Sequence, residues 1–184
     1  MTYSLTIFPN VYDNKTHRRM DFETWDGFEH LLFDLSKKDG KKGGDDSSPL
    51  ITPAIFRKNT TRANDNVLSW AKWCCIDVDD FDGTIENVLA PLKEYYYVCY
   101  STASSTKDSP KFRVVFPLTD SVAASRIKHF WHSINSLVLG VVDAQTKDLC
   151  RMFYVPAVYP NAHNFIVKNE GKIINPFELM SQFP

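Results

Sequence analysis

The run Trp73, Cys74, Cys75, Ile76, Asp77, Val78, Asp79, Asp80 constrains this chain more than any other. It reads as an apolar strand that ends in acid. Alternation along a strand sends Asp77 and Asp79 to one face, with backbones roughly 7 Å apart, and Ile76 and Val78 to the other. Two carboxylates side by side repel, and a cation between them, most often a divalent metal, relieves the repulsion. The run therefore predicts a core-facing strand with a candidate metal site at its end. Acid pairs at strand ends also mark solvated turns or helix caps, and residues 80–83 read as a turn, so both readings stand at this point.

The rest of the chain sets the scale. Its 184 residues, 43% apolar and 14% aromatic, suit one globular domain. A net charge of -1 with a pI near 6.5 excludes a uniformly basic nucleic-acid binder, though not a local basic patch. The four cysteines form no CxxC pair and no framework of spacings, which argues against a zinc site or a disulfide scaffold and points to a reducing cytoplasm. Residues 1–9 lack the basic start and apolar core of a secretion signal. No apolar run approaches the ~20 residues of a membrane span, so a soluble protein with no membrane partner is expected.

Residues 3–8 read as a strand. Phe22, Trp25, Phe28, Leu31, Leu32 and Leu35 recur at helical spacing, with Asp21 or Thr24 as a cap. Residues 37–49 carry Lys37, Lys38, Lys41 and Lys42 among glycines and aspartates, and predict a mobile surface loop. Strands follow at 50–57 and at the acidic run. Thr84 caps a short helix through Leu92, and residues 96–100 and 112–118 form a hairpin with a long polar tip. Val122 to Val138 follow helical spacing, with Asp120 or Ser121 to start and Gly140 to stop. Short strands are expected at 152–155, 163–167 and 172–174, then a final helical turn.

From residue 71 this order is strand, helix, strand, strand, helix, strand. It is the βαββαβ order of ferredoxin-like or RNA-recognition-motif folds, in which helices cover one sheet face and leave the other open. The expected class is α+β, a single domain over 1–184. Residues 1–66 form an N-terminal α/β subregion with the basic loop 37–49, residues 67–175 the RRM-like core, and 176–184 a tail. With Ile76 and Val78 under the helices, Asp77 and Asp79 lie on the open face.

Three blocks then occur in sequence. The first is Asp77-Val78-Asp79. The second is the Ser/Thr-rich stretch 100–106 leading into Lys111, Phe112, Arg113, Val114, Val115, Phe116, Pro117 and Leu118. The third is Val141-Val142-Asp143, followed by Arg151, Met152, Phe153, Tyr154, Val155 and Pro156. Over residues 8–160 the chain resembles the primase-polymerases of the archaeo-eukaryotic primase superfamily, as found in phage, plasmid and other mobile-element replication proteins. The resemblance implies a primase-polymerase fold in a metal-dependent nucleotidyltransferase that makes or extends primers on a single-stranded DNA template. It implies two divalent ions, Mg²⁺ or Mn²⁺, held by Asp77, Asp79 and Asp143, the first activating the attacking 3′ oxygen and the second holding the triphosphate. Ser101, Ser105, Lys107, Lys111, Arg113 and Arg151 would bind the nucleoside triphosphate. Arg57, Lys58 and Arg62, with the loop lysines, would track the template, and a replicative helicase module or protein is the expected partner.

The pattern departs from the superfamily at one place. Members normally carry a histidine in the second block, where it contacts the incoming phosphates, and this chain has Ser105 there, or Ala103 under a shifted alignment. A serine donates a hydrogen bond but brings no positive charge. That leaves a second functional class, a weakened or inactive primase-like domain that binds nucleotide or nucleic acid within a replication complex. A rolling-circle nicking endonuclease shares the topology, but the five histidines offer no pair flanking a single residue to hold its metal.

Overall fold

The computed structural model describes residues 2–81, 83–140 and 148–184. The acidic run forms a strand whose six residues Trp73–Val78 are all buried. Within the described residues the chain runs β1 (Tyr3–Phe8), β2 (Arg19–Phe22), α1 (Trp25–Leu35), β3 (Leu50–Thr52), β4 (Ala54–Phe56), β5 (Val67–Trp70) and β6 (Trp73–Val78). It continues α2 (Ile85–Leu89), β7 (Tyr97–Ser101), β8 (Phe112–Pro117), β9 (Val122–Ala123), α3 (Ile127–Leu137), β10 (Phe153–Tyr154), β11 (Ile166–Asn169) and α4 (Pro176–Gln182).

The fold is α+β, and the strands of the central sheet with α2 and α3 follow the expected order from residue 73, while the intervening β9 and β10 pair in other sheets. The central sheet has the order β11-β7-β8-β6, antiparallel throughout. Its two faces differ as alternation requires. Ile76, Val78, Phe112 and Val114 pack in one core with Ile127, Phe130 and Ile134 of α3 and with Leu179 and Met180 of α4. Trp73, Cys75, Val98, Tyr100 and Val115 pack in a second core with Leu5, Trp25, Phe28 and Leu32.

This second core corrects an expectation. The face opposite the helices is not open, because the N-terminal subregion lies on it. A second sheet of order β10-β3-β1-β2 and helix α1 cover its apolar part, and Trp73 Nε1 donates to the Ser4 carbonyl across the layers at 2.7 Å. Strand β10 comes from the far end of the chain yet pairs with β3, which stitches the two subregions together. The end of the face that carries Asp77 meets a cleft.

Three local expectations shift for identifiable reasons. The strand expected over 50–57 is split into β3 and β4 at Pro53, which has no N–H to donate to a ladder. Helix α3 starts at Ile127, because Val122 instead pairs with Trp70 of β5. The basic loop is not loose: Gly40 N–H donates to the Val158 carbonyl at 2.9 Å, and Gly43 N–H to the Tyr154 hydroxyl at 2.9 Å. A Cβ at Gly40 would lie 2.5 Å from Ala157 Cβ, so glycine permits that close approach. No described helix is long and apolar enough to cross a membrane.

Candidate active site

Strands β6 and β8 set the centre of the site. Their register places Asp77 directly opposite Arg113, and Arg113 opposite Tyr100 of β7. Arg113 Nε lies 2.7 Å from Asp77 Oδ1, with side chains 12% and 3% exposed. The contact is a charge pair rather than an aligned hydrogen bond, since neither atom has a well-directed partner among the described residues. Arg113 Nη1 donates to the Tyr154 carbonyl at 3.2 Å, which also accepts from the Tyr100 hydroxyl at 2.9 Å. Burial is the largest single influence and opposes the guanidinium charge, but Asp77 together with Tyr100, Cys75 and Tyr159 outweighs it, so the arginine pKa is raised and the group stays protonated.

Asp77 and Arg113 form the floor of a cleft of about 420 Å³. Asp79, just beyond the end of β6 and exposed, lines the same cleft, so the strand delivers both acids to one cavity. Lys111 and Arg151 line it as well, as does Arg62 from the turn before β5. The arrangement joins hard oxygen donors to cations, a combination suited to an anion that is itself bound through metal.

The other expected residues lie elsewhere. Ser101 is buried, and its hydroxyl both donates to the Phe165 carbonyl and accepts the Phe165 N–H at 2.7 Å, clamping the chain before β11. Ser105 is fully buried: its hydroxyl accepts the Lys111 N–H at 3.1 Å and its carbonyl accepts the His163 N–H at 2.8 Å. Both serine hydroxyls are engaged in structural hydrogen bonds, and neither serine lines the cleft. Lys107 is exposed on the hairpin tip and does not line the cleft. Arg57 and Lys58 line a separate groove of about 290 Å³ with His17 and Arg19, apart from Arg62. Arg113 lines the cleft as expected of an outward-facing residue, with its guanidinium paired to Asp77. Asp143 lies outside the described residues.

Several cleft residues had no role at the nucleotide assigned from sequence. Lys42 reaches the cavity from the basic loop, and Asp148 and Tyr154 line it near Arg151. Only their closeness to Arg151 in the chain hinted at the last two. Lys42 was masked by its charge run, which reads as solvated.

The donor set fits a divalent ion in part. Asp77 and Asp79 share one cavity, and one Asp77 oxygen is buried without an aligned hydrogen bond. The described residues hold no cluster of three or more His, Cys, Asp or Glu, so they offer a pair of carboxylates and not a complete cage.

No curated protein matches the chain. Among solved structures, the AEP domain of the primase-polymerase of cyanophage S-2L is similar, with a TM-score of 0.52 and 11% identity over 100% of this chain and 89% of that one. That likeness is one of fold. Residues 55–184 match the VapE N-terminal domain, which spans β5, β6 and every other strand and helix of the cleft's floor, and the chain therefore belongs to the VapE N-terminal domain family.

Proposed function

We propose that this chain is a metal-dependent primase-polymerase domain of a mobile-element replication protein, joining nucleotides on a single-stranded DNA template. The observation that carries the proposal is the meeting of Asp77 and Asp79 with Lys111, Arg113 and Arg151 in one cleft. Asp77 and Asp79 would hold Mg²⁺ or Mn²⁺, with Asp143 as a third acid. When bound, the ions activate the 3′ oxygen and neutralise the leaving pyrophosphate. The chain's own part is to position and to neutralise. Lys111 and Arg151 offer charge to phosphate oxygens, and Arg113 fixes the Asp77 carboxylate in place. Arg57 and Lys58, which line a separate groove, would track the template backbone. A replicative helicase module or protein is the proposed partner.

The test is incorporation of labelled nucleotides by purified protein on single-stranded template with Mg²⁺ or Mn²⁺, alongside Asp77→Ala and Asp79→Ala. Incorporation that survives both substitutions overturns the metal assignment. A second reading, a domain that binds nucleotide without catalysis, is favoured by the Asp77 carboxylate already being neutralised by Arg113. Tight nucleotide binding with no incorporation on any template selects it.

A further inference from the structure

The cavity is lined by five cations (Lys42, Arg62, Lys111, Arg113 and Arg151) against three carboxylates (Asp77, Asp79 and Asp148) among the described residues. That surplus of positive charge sits in a chain whose net charge is -1. The 101–106 loop contributes none of it: Thr102, Ala103 and Ser104 line the cleft, and Ser105 is turned inward. Two of the five cations arrive from the N-terminal subregion.

Lys42 is held over the cleft by its neighbours rather than by its own charge. Gly43 N–H is bonded to the Tyr154 hydroxyl, Lys41 pairs with Asp46 at 2.6 Å, and the Asn10 side chain donates to the Asp45 carbonyl at 3.2 Å. Lys42 itself has no ion-pair partner among the described residues, and is exposed toward the cavity. Arg62 is anchored on one side, where Nη1 reaches the Cys150 carbonyl at 3.4 Å. Its Nε is buried with no hydrogen-bond partner among the described residues. A buried guanidinium N–H without a partner is an uncompensated donor, which an anion in the cleft would satisfy. Tyr154 links the two ends of the site, since its carbonyl holds Arg113 and its hydroxyl holds the loop that carries Lys42.

We infer that Lys42 and Arg62 grip the polyphosphate of the nucleotide, supplying from the N-terminal subregion the positive charge that the 101–106 loop lacks. The inference rests on the primase-polymerase reading and moves Arg62 from the template to the triphosphate. Lysine provides a point charge and arginine a planar fork, so together they suit a flexible chain of phosphates better than a single monophosphate.

The experiment is calorimetric titration of the full chain with dATP, dAMP and inorganic tripolyphosphate in Mg²⁺. Wild type should bind dATP and tripolyphosphate more tightly than dAMP. Lys42→Ala and Arg62→Gln should each weaken both triphosphate ligands about 10-fold while leaving dAMP within about twofold, as expected for loss of one charge-assisted contact. Thermal melting checks the folding of Arg62→Gln, and Lys42→Ala, on an exposed side chain, carries the test if that variant unfolds. Unchanged triphosphate affinity in the folded variants overturns this inference and leaves the primase-polymerase reading in place. Equal losses for dAMP and dATP also overturn it. Failure of wild type to bind dATP overturns both.

Discussion

Arg113 and Asp77 face each other across the β8–β6 ladder with Nε and Oδ1 2.7 Å apart, both side chains nearly out of solvent. The pair closes the interior end of the cleft. It neutralises one of the two acids proposed as metal ligands, so the same contact bears on stability and on the proposed chemistry.

Removing one partner leaves a buried charge without compensation. Arg113→Ala should therefore destabilise the fold by about 3–5 kcal/mol, and Asp77→Ala by a similar amount. The apolar double replacement Asp77→Leu with Arg113→Met should cost less than either single alanine, because no charge remains to be desolvated. Urea unfolding of the three variants measures this, and a double replacement worse than both singles would contradict it.

Asp79 is exposed where Asp77 is buried, so Asp79→Ala should cost less stability than Asp77→Ala while still depleting the metal site. A ligand that binds only the native state stabilises it by about 2.7 kcal/mol at a concentration of 100 Kd. Mg²⁺ or Mn²⁺ should thus raise the melting temperature of wild type, and Asp79→Ala should lose most of that rise. An undiminished rise in Asp79→Ala would place the metal elsewhere.

Ser105 illustrates why restoring a histidine there should fail. Ser105→Ala leaves the Lys111 N–H without its acceptor and should cost about 1–3 kcal/mol. Ser105→His forces a ring into a fully buried site, and overpacking of that kind costs typically 1–3 kcal/mol. Denaturant unfolding should show both losses, and nucleotide titration should show no gain in affinity for Ser105→His.

Asp21 supplies a prediction in pH. The Ser4 hydroxyl donates to its carboxylate, Arg19 adds a second bond at 2.7 Å, and together these hold its pKa below the ordinary carboxylate range despite some burial. A depressed folded pKa gives stability that is present above the unfolded value of about 3.9 and lost as pH falls through the lower folded value. Asp21→Asn should therefore be less stable than wild type at pH 7. Because the pair is half exposed, the gap should be at most about 1 kcal/mol. It should narrow below about pH 5 and vanish once both states are protonated. Melting curves across that range test it; a gap that widens in acid would reverse the sign.

Much of the fold was legible along the chain. Thr84 and the 85–92 pattern mark α2, whose first turn Thr84 caps, and the 97–101 and 112–117 runs pair as the expected hairpin. Period-two alternation puts Asp77, Arg113 and Tyr100 on one face and Ile76 and Val114 on the other, and both cores respect that division. These features are local, set by side-chain direction and capping within a few residues.

What covers each face was not local. The sequence by itself determined the strands, the helices and the shared face of the two acids, because strand alternation and helix periodicity are read from neighbours. The tertiary structure alone decided that the N-terminal sheet closes the apolar part of that face and that Arg113 turns onto Asp77. It also decided that Ser105 points inward and that Lys42 reaches the cleft. Each of these contacts joins segments well separated along the chain. Their outcome depends on which buried charges and donors find partners once the layers pack, a balance no single stretch of sequence contains.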